Sequence, residues 1–185
     1  VGLGYSGLAV TAAIVWLVVF FANAMVVVIE TAAGADSVEG WPDGPYQDWM
    51  PDAFYVINAL AVSAIPGVAL EWLLADARAF QGPWLVGSLF VGFPIALLSM
   101  LEWGSAIRPL SRSVLGSLPR SWWAWLLFYA ATAVLLSAGV ALAMLVIWCL
   151  GGWGVVPAAP ILVGSLLIYF RLLGRLGMVC GGRLA

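Results

Sequence analysis

Arg171 and Arg175 stand four residues apart in the run LLIYFRLLGRLGMVC, Leu166 to Cys180, where almost every other side chain is apolar. Residues at i and i+4 share a helix face, so the two guanidinium groups are predicted side by side. Deep in a bilayer such a pair would mark an ion or substrate site. At the end of a span it is an anchor whose long stems snorkel to lipid headgroups. The anchor is the simpler reading: a helix C-terminus favours cations, and Gly174, Gly177, Gly181 and Gly182 signal a helix end. The sharper reading is an ion pair with Glu30 or Glu102, both predicted on the same membrane side. Glu102 is the expected partner, because a carboxylate partly out of water is costly unpaired.

Much other chemistry is excluded by missing atoms. The chain has no histidine and no lysine, which removes His-ligated haem or zinc and Ser–His catalysis. Cys149 and Cys180 lack metal-ligand spacing and are predicted at opposite membrane faces, too far apart for a disulfide. No glycine-rich phosphate loop is present. The acids Asp36, Glu39, Asp43, Asp48 and Asp52 are too irregularly spaced for a calcium loop and read as a solvated segment. WPDGPYQDW, within it, has turn chemistry. The seven arginines form no clustered footprint for nucleic acid. No catalytic residue, metal or cofactor is expected, and the chain does not read as an enzyme.

Inside the apolar runs, polar groups are few. Pro66-Gly67 and Gly92-Phe93-Pro94 interrupt two of them near the centre, and proline there kinks a helix. Paired broken helices hold transporter sites, but proline is also frequent in membrane helices as a structural kink. Asn23 and Asn58 are predicted at similar depth and able to bond to each other. Glu71 is within reach of Arg78. No carboxylate sits alone at a helix centre, which weighs against an ion-coupled transporter.

The elements that position these residues follow from hydropathy. Of 185 residues 64% are hydrophobic and 9% charged, against about 25% charged in soluble domains. Apolar runs of about 20 residues read as membrane spans. Five occur, at residues 8–28, 54–74, 84–103, 122–150 and 157–176, in a single all-α domain, a polytopic bundle. An acidic loop, 30–52, follows the first span, and an arginine-bearing loop, 104–121, follows the third. Tryptophans cluster at the run ends (Trp72, Trp84, Trp103, Trp122, Trp123, Trp125, Trp148 and Trp153), as interfacial belts do. Five crossings put Arg108, Arg112, Arg120, Arg171, Arg175 and Arg183 on one side and Arg78 on the other. The positive-inside rule makes the arginine-rich side cytoplasmic. The chain opens on Val1 rather than methionine, which points to processing or truncation, and no removable signal peptide is read.

Packing signals complete the reading. Ala59-Ser63-Gly67 and Ala133-Ser137-Ala141 are small residues at i,i+4 steps, which let helix backbones approach. PWLVGSL (Pro83–Leu89) and PILVGSL (Pro160–Leu166) differ at one position, so two helical hairpins related by duplication are conceivable. The closing run IYFRLLGRLG, with the Trp-rich hairpin before it, resembles the end of uncharacterised bacterial multi-pass membrane proteins. That resemblance implies a polytopic bacterial membrane protein, expected in the inner membrane, and carries over no activity, cofactor or catalytic residue. The expected function is a non-catalytic accessory, scaffold or regulatory component, in contact with the bilayer, with other membrane subunits and with anionic lipid through Arg108, Arg112, Arg171 and Arg175. The alternative is a small transporter or channel using the kinks at Pro66 and Pro94.

Overall fold

The computed structural model describes residues 2–41, 49–74 and 82–181. Asp43, Asp48, Asp76, Arg78 and Arg183 lie outside the described residues, and with them the expected Glu71–Arg78 pair. The fold is all-α, with no strand among the described residues. Its helices are α1 (Gly2–Ala32), α2 (Met50–Leu73), α3 (Pro83–Trp103), α4 (Arg112–Arg120), α5 (Trp122–Leu150) and α6 (Val155–Gly181).

Among the described residues four apolar stretches are long enough to cross a membrane, the last of them the 59 residues Trp122–Cys180. As one helix that stretch would be about 90 Å long, three times a hydrocarbon core of about 30 Å. A 3-10 turn at Gly151–Gly154 divides it into α5 and α6, each of spanning length. Gly151 takes φ +60°, and a Cβ on Gly154 would lie 2.5 Å from Ile147 Cα. Both glycines are needed for the chain to double back on α5. Five helices therefore have the length and apolarity of spans, as an integral membrane protein requires. Their exposed faces carry large apolar side chains such as Ile65, Leu127, Val134 and Met144, which suits a helix solvated by lipid rather than water.

Helices α1 and α2 start at Gly2 and Met50, ahead of the expected 8 and 54, so Asp52 lies in the first turn of α2 rather than in the acidic loop. Three further features differ from expectation. First, α1 runs past Val28 to Ala32 and ends in a Schellman motif. Gly34 takes φ +89°, its N–H donates to the Thr31 carbonyl, and the Ala35 N–H donates to that of Glu30. The acidic segment thus begins after Glu30, not at it. Second, the arginine-bearing loop contains α4, capped by Ser111, whose Oγ accepts from the Ser113 N–H at 3.2 Å. Third, α6 continues through Gly174 and Gly177 to Gly181, so these glycines do not stop the helix.

The described residues fall into two compact units, Val1–Val26 with Glu39–Gly116, and Val27–Val38 with Ser117–Ala185. In the first, α2 and α3 form a close hairpin. The stripe Ala59, Ser63 and Gly67 is buried. A Cβ on Gly67 would meet Leu85 Cα at 2.6 Å and the Trp84 carbonyl at 2.8 Å, and one on Gly92 would meet Ser63 Cβ at 3.2 Å. Both helices run unbroken through their prolines; Pro66 is exposed, whereas Pro94 is enclosed.

In the second unit α5 and α6 form the other hairpin. Here the expected stripe is displaced: Ala133, Ser137 and Ala141 are exposed, and α5 buries Thr132, Gly139 and Ala143 instead. Gly139 fixes this register, because a Cβ there would come within 3.0 Å of Ser165 Cβ. Trp125 is also no belt residue. It is 3% exposed, and its indole N–H donates to Ser117 Oγ at 3.1 Å. Trp72, Trp103, Trp122, Trp123, Trp148 and Trp153 are exposed at helix ends.

Candidate functional site

The arginine pair is built by the second unit. Gly174 lets α6 approach the last turns of α1 closely: a Cβ there would lie 2.6 Å from the Val28 carbonyl and 2.8 Å from Thr31 Cβ. The turn at Gly34 then carries Asp36 across to α6. Arg171 Nη2 donates to the Asp36 backbone carbonyl at 2.7 Å, and Arg175 Nη2 to Asp36 Oδ1 at 3.2 Å. Both side chains of the ion pair are largely in the open, 56% for Arg175 and 93% for Asp36. An exposed pair of this kind contributes about 0–1 kcal/mol; it orients the guanidinium groups more than it stabilises the fold.

The expected partner of the pair, Glu102, is engaged elsewhere. It accepts a hydrogen bond from Ser111 Oγ and is exposed, so the cost that argued for an arginine beside it does not arise. Gly104 (φ +58°) makes a second Schellman turn at the end of α3, through Gly104 N–H to Leu101 and Ser105 N–H to Met100. The chain folded back by this turn brings the Ala106 carbonyl to Asn58 Nδ2 at 2.7 Å and Arg108 over the Trp103 ring at 5.1 Å. Asn23 bonds within its own helix, to the Val19 carbonyl at 2.7 Å. The two asparagines therefore serve different contacts rather than each other. Arg112 lies exposed in the first turn of α4.

Sequence reasoning missed the role of Glu71. Its Oε1 accepts from the Gly82 N–H at 2.9 Å and the Leu85 N–H at 3.2 Å. Gly82 has no side chain with which to cap α3, so the carboxylate of α2 supplies the acceptor that a helix N-terminus needs. The signal was legible: a glutamate one turn from the end of one span, facing a Gly-Pro start of the next.

Comparison with protein-family models, curated proteins and solved structures finds no match.

Beside Arg175 lies an apolar groove of about 260 Å³, open along one side. Ala124, Leu127, Phe128 and Ala131 of α5 form one wall, and Leu172, Leu176 and Val179 of α6 the other, with Arg175 as its charged member. Ala124 and Ala131 line it with small side chains, and beside them Phe128 packs on Tyr169 of α6 with ring centroids 5.7 Å apart. Among the described residues no group of three or more Cys, Asp or Glu side chains is placed to hold a metal ion. Cys149 and Cys180 are free thiols.

Proposed function

We propose that this chain is a multi-pass, non-catalytic component of a bacterial inner membrane, an accessory, scaffold or regulatory subunit that contacts anionic lipid on its arginine-bearing side. One observation carries the reading: polar side chains that chemistry would require are engaged in holding helix ends. Glu71 caps α3, Glu102 holds Ser111, Asn58 holds the segment after α3, and Arg171 and Arg175 hold the turn after α1. A carboxylate already accepting two backbone N–H bonds is a poor general base, and an exposed arginine beside a single acid is a poor proton relay. The exposed small-residue face of α5 (Ala133, Ser137, Ala141) is of the kind against which another membrane helix packs. The bacterial attribution draws on the resemblance of IYFRLLGRLG, and the multi-pass threading on the five apolar helices with their arginine asymmetry.

The second reading, a small transporter or channel, draws on Ser63 Oγ and Ser99 Oγ, buried with no hydrogen-bond partner among the described residues. Against it, Pro66 is exposed while Pro94 is enclosed, so the two prolines do not converge on one interior face. Reconstitution separates the readings. Purified protein in vesicles should leave proton and potassium gradients and solute-driven swelling at the rate of empty vesicles. In native membranes, a photo-crosslinker at Ser137 should capture a second membrane protein. Accelerated dissipation or swelling would establish the transporter reading instead.

A further inference from the structure

We infer that the groove between α5 and α6 is a binding site for one anionic phospholipid, an acyl chain lying against Leu127, Ala131, Leu172 and Leu176 and the phosphate meeting Arg175. The inference deepens the lipid-contact reading above and rests on it. Three observations converge. The groove is lined by apolar side chains except for Arg175, so its occupant is an apolar chain with an anionic end. It joins the first turns of α5 to the last turns of α6, and there Trp122 and Trp123 stack at 4.4 Å on the exposed start of α5. Tryptophans so placed sit at headgroup level, which puts Arg175 where a phosphate is found. Finally, a guanidinium has five N–H donors, and Arg175 gives one to Asp36 Oδ1. The carboxylate of Asp36 opposes an anion here, but Arg171 and Arg175 together outweigh it by one charge, and their bonds to Asp36 hold both groups in place.

The test is native mass spectrometry of the purified chain in mild detergent, titrated with phosphatidylglycerol or with phosphatidylcholine of identical acyl chains. Expected is one tightly retained phosphatidylglycerol per chain and weaker retention of phosphatidylcholine. Arg175→Gln should weaken phosphatidylglycerol binding about tenfold, as loss of a hydrogen bond between charged groups does, and narrow its advantage over phosphatidylcholine, whose phosphate is neutralised by its own choline. Ala131→Leu, which fills the groove from an exposed position, should weaken both lipids. Arg112→Gln, outside the groove, should leave the tight site unchanged. Unchanged thermal midpoints would show that the variants are folded. Equal weakening by Arg112→Gln and Arg175→Gln would overturn the groove while leaving a diffuse lipid-contacting face intact. Equal retention of the two lipids by the wild-type chain, or no retained lipid, would overturn both. A dimer mass that disappears in Ala131→Leu would assign the groove to a second copy of the chain and overturn the lipid site.

Discussion

Replacing Gly67 with alanine tests the α2–α3 hairpin at its closest point. The new Cβ would stand 2.6 Å from Leu85 Cα, 2.8 Å from the Trp84 carbonyl and 2.9 Å from Ser88 Cβ. Carbon atoms settle at about 3.5–4.0 Å, so the helices must part by about 1 Å, and the first two atoms are backbone that cannot swing aside. Overpacking of this kind costs about 1–3 kcal/mol. The same displacement stretches the bonds from Gly82 and Leu85 to Glu71, now 2.9 and 3.2 Å, and loss of a helix cap costs about 1 kcal/mol. Against this, alanine gains about 1 kcal/mol over glycine in a helix interior. The net is a destabilisation of about 2 kcal/mol, roughly a 30-fold change in the unfolding equilibrium. Gly87 in α3 is the matched control, since a Cβ there meets nothing within 4 Å. Gly87→Ala should be neutral or up to about 1 kcal/mol stabilising. Unfolding by sodium dodecyl sulfate in maltoside micelles, followed by tryptophan fluorescence, reads both. A Gly67→Ala midpoint at or above wild type, or equal to that of Gly87→Ala, would refute the close approach.

Ser63→Leu should destabilise the isolated protein by about 1–3 kcal/mol, because Ser63 is 4% exposed against Gly92, whereas Ser137→Leu, on an exposed face, should leave its detergent unfolding midpoint unchanged. Gly174→Ala should release the end of α1 from α6 and raise proteolysis in the segment after Ala32, since the clash is with the Val28 carbonyl and Thr31 Cβ; an unchanged cleavage pattern would contradict that contact. A double-mutant cycle between Asp36→Asn and Arg175→Gln should return a coupling of no more than about 1 kcal/mol, shrinking with salt. With Cys149 and Cys180 replaced, a cysteine at Ser113 should resist an impermeant thiol reagent applied outside intact cells, and ready labelling there would invert the threading.

Helix positions were legible where apolar length alone decides them. The expected spans at 84–103 and 122–150 lie within one residue of α3 and α5, because Gly-Pro or Ser-Trp on one side and glycine on the other punctuate both. Elsewhere an identical residue type had two readings. Gly34 and Gly104 end helices because the αL conformation suits glycine, yet Gly174 and Gly177 lie inside one. Glycine in a membrane helix equally marks where two backbones meet, and only the neighbouring α1 decides between the two. The α5 stripe failed for a related reason. Ala133-Ser137-Ala141 and the register through Gly139 are both rows of small residues, and the row containing glycine permits the closer approach. Helix α4 was hidden by its shortness, although the Ser111 cap and the spacing of Val114 and Ser117, both buried, mark it. The partner of the arginines was beyond sequence, since Asp36 is distant along the chain and reaches α6 only because α1 overruns its expected end and turns at Gly34.

The two near-identical heptapeptides acquire a physical meaning from the hairpins that contain them. In PWLVGSL the serine is Ser88, whose Cβ lies 2.9 Å from where a Cβ on Gly67 would be, and whose hydroxyl donates to the Ser63 carbonyl. In PILVGSL the corresponding serine is Ser165, whose Cβ lies 3.0 Å from the equivalent point on Gly139. In each hairpin, therefore, the same serine of the motif sits on a glycine of the preceding helix. A small polar residue suits that place because it fits against bare backbone and can satisfy its hydroxyl on a helix carbonyl, as Ser165 does on Ile161. The glycine following the valine, Gly87 or Gly164, meets nothing within 4 Å. In the first hairpin Leu85 and Trp84 of the motif also lie against Gly67, at 2.6 and 2.8 Å from such a Cβ, whereas in the second the contact on Gly139 is made by Ser165. Low-complexity apolar sequence produces matching heptapeptides easily, but it does not by itself put a matching contact opposite each of them. The serine-on-glycine contact is thus a point of close fit that the two hairpins share.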